Sequence, residues 1–303
     1  MASVAAHEKL VGGVVAHHPP GRAGFGGAVR SEFTKIRSVR STYWTLIALF
    51  IIVVGFGILF SWGQTMRLAS ISHGFTPGGQ PVPPHNFLTA QEAQIRSHAA
   101  SVSLFGLLIG QLIITVLGAL TITAEYSTGM IRTSLATMPR RGTLFAAKAA
   151  VFGFVALVTG LVTSFVAFFI GQAILSSWHV NTTLGHPGVL RAVIGGGLFI
   201  AVCGLLSFGI GAMLRHSAGA IGASIGVLFV VWILSNFLPG PPSGWFGQAD
   251  IDKWIPLDAG SRIWLSQQIG IHQFSPWIGF AVFCAYAAAA IIGGLILFLR
   301  RDA

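Results

Sequence analysis

The 303-residue chain is 53% apolar and 9% charged, with a formal net charge of +10 at pH 7. A soluble domain carries about 25% charged residues, so this composition cannot clothe a water-facing surface and excludes an ordinary soluble enzyme. The basic excess does not mark a nucleic-acid binder, because the cations sit at the ends of apolar runs, where they report membrane topology.

In chain order, residues 1–28 are rich in Ala, Gly, His and Pro and have no apolar core of the kind a signal peptide needs. They read as a disordered cytoplasmic tail, and residues 29–301 read as a single membrane domain. The stretch GGAVRSEFTKIRSVRSTYW, residues 26–44, spaces Val29, Phe33, Ile36 and Val39 along one helical face. This predicts an amphipathic helix in the cytoplasmic membrane interface, with Arg30, Lys35 and Arg37 near lipid headgroups. On this reading Glu32 pairs only loosely with Lys35 or Arg37.

Six runs approach the roughly 20 apolar residues that a span requires: 42–62, 99–123, 149–177, 189–214, 219–238 and 277–299. The predicted fold class is therefore an all-α integral membrane protein with six transmembrane helices. Cys203 and Cys284 fall inside apolar runs and read as packing residues. Between the first two runs, TPGGQPVPP cannot be helical. Before the last run, PGPP is followed by DIDKWIPLDAGSRIWLSQQIG, which predicts one or two short helices at the outer surface, with Trp254 and Trp264 at the membrane interface.

An even number of spans puts both termini on one side. That side carries Lys9, Arg22, Arg30, Lys35, Arg37, Arg40, Arg132, Arg140, Arg141, Lys148, Arg215, Arg300 and Arg301. The other carries only Arg67, Arg96, Arg191, Lys253 and Arg262. The bias predicts that both termini are cytoplasmic.

Chemistry-bearing motifs are sparse. A phosphate-cradling loop needs GxxxxGK[ST], but the nearest stretch, GTLFAAKA at residues 142–149, lacks the second Gly and the Ser/Thr. HExxH does not occur, and no catalytic or metal-binding set emerges. The span centres hold amides and hydroxyls rather than ionisable groups. Of these, Gln111, Thr115 and Gln172 are candidates for a substrate path, with hydrogen bonding between helices as the alternative. Two GxxxG matches, Gly106–Gly110 and Gly222–Gly226, fit packing inside one chain or a dimer face.

The most distinctive segment is TAEYSTGMIRTSLATMPRRGTLFAAK, residues 123–148. A short helix over 128–138 is predicted, capped by Ser127 or Thr128 and stopped by Pro139. Ile131, Leu135 and Met138 form its apolar stripe, bordered by Met130 and Ser134. Arg132 lies off the stripe, and Arg140 and Arg141 follow the stop. Such a helix can lie on lipid or dock into a groove on a partner.

The spacing of Glu125, Gly129, Pro139, Arg141 and Lys148 resembles the loop of type-2 ABC transporter permeases of the drug and polysaccharide exporter kind. The order of a basic interfacial helix, six spans and a long outer loop before the last is similar too, and the first segment resembles actinobacterial members. The resemblance implies a multi-pass exporter subunit in a bacterial plasma membrane, without enzymatic activity of its own. ATP and Mg would be held by a cytoplasmic ATPase dimer, and a second permease copy or a homologous one would complete the complex. It implies that 128–138 is a coupling helix: Ile131, Leu135 and Met138 fill the ATPase groove, Arg132, Arg140 and Arg141 orient the contact, and Glu125 steadies the second span by pairing with Lys35 or Arg37. Tyr126, Ser127 and Thr128 depart from the family wording, in which a charged residue often follows the glutamate. Two other readings remain at this point. One is a structural or regulatory subunit that recruits a cytoplasmic protein. The other is a membrane enzyme acting on lipid, which would need Asp250, Asp252, Asp258 and His272 to converge.

Overall fold

The computed structural model describes residues 24–74, 87–130, 140–237, 253–266 and 274–300. The described residues form helices and their connections, with no strand among them, and six of the helical segments are long and apolar enough to cross a membrane. The predicted coupling helix lies almost wholly outside the described residues, as do Asp250, Asp252 and His272.

Helix α1 (Phe25–Ser38) is the segment before the first span. Val39 takes an extended conformation, φ −85° and ψ 108°, and turns the chain into α2 (Arg40–Ser72), span one. Val39 is thus the hinge and not the last residue of the apolar stripe. At 33 residues α2 is about 50 Å long, well beyond the roughly 30 Å hydrocarbon layer. It extends ten residues past the end expected from hydropathy, because the polar SWGQTMRLASIS still propagates a helix in the absence of Pro. Span two is similarly longer. It comprises α3 (Phe87–Ser103) and α4 (Leu107–Ser127), joined by a tight turn at residues 104–106.

Span three is α5 (Arg141–Leu175), which starts eight residues before its expected position. Span four is α6 (Val189–Leu214). Span five runs from α7 (Ser217–Ile225) through one π turn (Gly226–Val230) into α8 (Val231–Phe237). A short helix, α9 (Pro256–Ser261), precedes span six, α10 (Pro276–Arg300).

Helix α6 is the spine of the bundle. Its most apolar window is 78% buried, against 17% for span five, and it packs on α4, α5 and α10. Small residues make this possible. A Cβ at Gly209 would lie 2.5 Å from the Ala290 carbonyl carbon of α10, so that crossing depends on glycine. Near the basic end, Phe145, Phe208 and Phe298 lock α5, α6 and α10 together, with ring centroids 5.3 and 5.5 Å apart.

The segment after α9 folds over the N-terminal end of α6. Arg191 explains why. Its guanidinium donates to the carbonyls of Arg262, Ile263 and Leu265 at 3.0, 2.9 and 2.9 Å, satisfying backbone acceptors that the short helix leaves open. Trp264 is consequently 1% exposed and faces Phe199. This corrects its expected place at the membrane interface. Trp254 is exposed.

The two GxxxG pairs differ. Gly106 and Gly110 both press on Val53 of α2, and a side chain at Gly106 would collide with the Val53 carbonyl oxygen. Nothing lies within 4 Å of a Cβ built at Gly222 or Gly226. Gly106→Val is therefore expected to lower the stability of the bundle by at least about 1–3 kcal/mol, the usual cost of overpacking. Gly222→Ala should stay within about 0.5 kcal/mol of the parent. Thermal unfolding in detergent, followed by size-exclusion chromatography, separates the two outcomes.

Candidate functional site

The base of the loop between spans two and three is built from four charges. Glu125 sits two residues before the end of α4, and Lys148 lies two turns into α5. The Lys148 ammonium meets Glu125 Oε1 at 2.7 Å and Glu32 Oε2 of α1 at 2.6 Å. Lys35, one turn after Glu32, donates to Glu32 Oε1 at 2.7 Å and reaches Glu125 Oε1 at 3.3 Å. Charges alternate around a closed ring of two acids and two bases. The side chains of Glu32, Lys148 and Glu125 are 4%, 5% and 10% exposed, so this is a buried ionic site.

The ring explains how α1 is held. Ala28 and Glu32 are its buried residues, one helical turn apart, and with Lys35 they form the stripe that faces α4 and α5. Ala28 lets the backbone come close enough for the glutamate to reach. The apolar stripe faces elsewhere: Phe33 is 46% exposed, and Val29 and Ile36 are half-buried. Glu32 thus does not pair loosely. It is the residue that ties α1 to the bundle. Burial alone would raise its carboxyl pKa, but Lys148 and Lys35 outweigh this and hold it below its ordinary value of 4.5. For Lys35, burial works against the charge, and bonding to Glu32 and the field of Glu125 raise its ammonium above 10.5.

Other predicted residues take up stations around the ring. Gly129 has φ +71° and terminates span two in a left-handed turn, a conformation that suits glycine. Met130 and Arg140 are exposed, and the Arg140 carbonyl accepts from Thr143 and Leu144 to start α5. Arg141 is the first residue of α5. Arg30 and Arg37 are exposed on α1. Ile131, Arg132, Leu135, Met138 and Pro139 are outside the described residues.

Two residues at the ring have partners that the sequence does not show. Lys148 was placed just outside a span, but α5 begins at Arg141, so Lys148 stands inside a helix. A charge so placed signals a buried partner. Arg215, in the turn between spans four and five, lies 4.8 Å over the Tyr126 ring and reaches the Leu297 carbonyl at 3.4 Å. Tyr126, which departs from the family wording, thereby ties the end of span two to the ends of spans four and six.

The candidate path residues are enclosed by the protein. Gln172 donates to the Ala99 carbonyl and Ser103 Oγ at 2.9 and 2.8 Å and accepts from Thr182 N at 2.7 Å, fastening α5 to α3. Gln111 and Thr115 are fully buried; Cys203 Sγ lies 3.9 Å from Gln111 Oε1. Among the described residues, no group of three His, Cys, Asp or Glu is arranged to hold a metal.

Removing one member of a buried ion pair strands its partner, at a cost of about 3–5 kcal/mol. Lys148→Met is expected to lose stability on that scale, and Lys148→Met/Glu125→Gln to lose less than the two single variants summed. The pH dependence has a definite sign. The Glu32 contribution is complete above about pH 4.5 and disappears as pH falls through its depressed folded value, because the unfolded carboxylate takes up the proton at a higher pH than the paired one does. The Lys35 contribution is complete below 10.5 and is lost only as pH rises through its raised folded value. Thermal unfolding of the parent should therefore hold steady between these limits with respect to both groups, and Glu32→Gln should remove part of the acid-side loss.

Comparison with protein families gives one assignment. The family described as ABC-2 family transporter protein matches residues 28–234, from α1 through span five. A search of curated proteins found no match. The match covers most of the chain and contains every member of the ion ring. The chain belongs to the ABC-2 transporter family and is a multi-pass permease component.

Proposed function

We propose that the chain is the membrane subunit of an exporter driven by a separate cytoplasmic ATPase dimer, with both termini in the cytoplasm of a bacterial cell. Residues 128–138 are the docking element. The observation that carries this reading is the ring at the loop's base. Glu125 and Lys148 bracket the loop and bond to each other at 2.7 Å, and Glu32 and Lys35 fasten α1 to both. A docked loop pulled by ATP-driven closure would then transmit force to the ends of spans two and three and to α1 together, where an unbraced loop would flex and dissipate it.

The family membership, the eleven residues between the left-handed Gly129 and the start of α5, and the excess of cations at this end of the bundle all favour the reading. ATP and Mg belong to the partner. A second permease copy, or a homologous chain, completes the complex, and the open flank of span five around Gly222 and Gly226 is the face we assign to that contact. Export is the direction expected from the family. The substrate class stays unassigned.

Leu135→Asp places a charge on the stripe proposed to fill the ATPase groove. It should reduce copurification of a Walker-motif ATPase at least tenfold and abolish ATP-dependent transport, with the thermal stability of the permease unchanged. Stoichiometric ATPase retained by this variant, together with normal transport, would sink the coupling assignment.

A further inference from the structure

The elbow between α1 and α2 creates a second feature that the ion ring and the loop do not use. Three helices enclose a notch of about 260 Å³ there. Phe33 and Ile36 of α1, Leu46 of α2 and Val155 of α5 form its walls, and Tyr43 and Arg37 stand among them. Arg37 is the only charged residue in the lining and, among the described residues, makes no hydrogen bond or ion pair. The one acid of α1, Glu32, is buried in the ring with Lys148, so it does not neutralise this side of the helix.

The notch opens where a membrane boundary is expected. Tyr43 and Trp44 are 47% and 70% exposed at the first turns of span one, the position at which aromatic side chains meet headgroups. Its volume suits part of one flexible chain and not a helix, whose diameter with side chains is about 10–12 Å. An apolar recess with a single unpaired cation matches an amphiphile with one acyl chain inserted and one negative headgroup outside.

We propose that this notch is a binding site for an anionic phospholipid, with an acyl chain between α1, α2 and α5 and the phosphate held by the Arg37 guanidinium. The site rests on the membrane-spanning fold and does not depend on the coupling role of the loop. It gives the extended hinge at Val39 a second purpose: the bend opens the recess between α1 and α2.

The full chain, purified in mild detergent, is titrated with phosphatidylglycerol or with phosphatidylcholine of the same acyl composition and examined by native mass spectrometry. The expected result is one tightly retained phosphatidylglycerol per chain, at least tenfold preferred over phosphatidylcholine. Arg37→Gln should erase the preference. Arg67→Gln, which removes an exposed cation at the other end of span one, should leave it intact. A phosphatidylglycerol carrying a diazirine in its acyl chain should label the peptide containing Tyr43 and Leu46, and Val155→Trp should suppress that labelling. Equal retention of the two lipids, a preference that survives Arg37→Gln, or labelling confined to other spans would each overturn the site. So would a crosslink showing that residues 1–23 of the same chain occupy the notch.

Discussion

Lys148 cannot stand alone where it is. It lies two turns inside an apolar helix with a side chain 5% exposed, and an unpaired charge there would carry a desolvation penalty of several kcal/mol. Two carboxylates from two other elements answer it. Those carboxylates would repel each other at such short range, and Lys35 shares both. The four groups are mutually required, and their requirement fixes three things at once: the docking angle of α1, the spacing between the ends of spans two and three, and the geometry from which the intervening loop departs. A buried ionic group contributes little net stability compared with apolar packing, but it specifies one arrangement and penalises others. That property suits the rigid base that the proposed coupling mechanism requires.

The remainder of the bundle divides into a fixed part and an open part. Spans two, three and six close around span four, the glycine-rich α6, with aromatic rings and the Arg191 clamp completing the two ends. Span five is attached chiefly through α4 and α6 and presents an open flank interrupted by a π turn at Gly226–Val230. Such turns widen a helix locally and are frequent at functional positions. The contrast gives the fold a rigid core beside a face with room for another subunit.

Much of this architecture was legible in the sequence, and the failures have physical causes. Hydropathy found all six spans, because a run such as LFIIVVGFGILF permits little else. It missed the lengths of spans one to three, since hydropathy reports where lipid begins and not where a helix ends. For the same reason the sequence marks Lys148 as a loop residue and does not show that it is buried inside α5. The periodicity of α1 marks an apolar stripe but does not say which face meets the protein. Ala28, Glu32 and Lys35 form a polar, small stripe, and only knowledge of the partners on α4 and α5 shows why it turns inward. Trp264 illustrates a related limit. A tryptophan between Arg262 and Ser266 in a loop resembles an interface anchor until Arg191 pulls that segment over α6.

Transmission through the ring requires α1 and the bases of spans two and three to behave as one body during transport. Spin labels at Arg30→Cys and Ala146→Cys, both exposed positions, in a background of Cys203→Ala and Cys284→Ala, would report their separation in the assembled transporter. Pulsed electron–electron distance measurements, made nucleotide-free and with ATP trapped on the partner, are the direct test. A distance distribution unchanged between the two states, while labels at Met130→Cys and Ala218→Cys move relative to each other, is the predicted result. A shift in the Arg30–Ala146 distance on ATP binding would show that the ring opens during the cycle and would contradict the rigid-base mechanism.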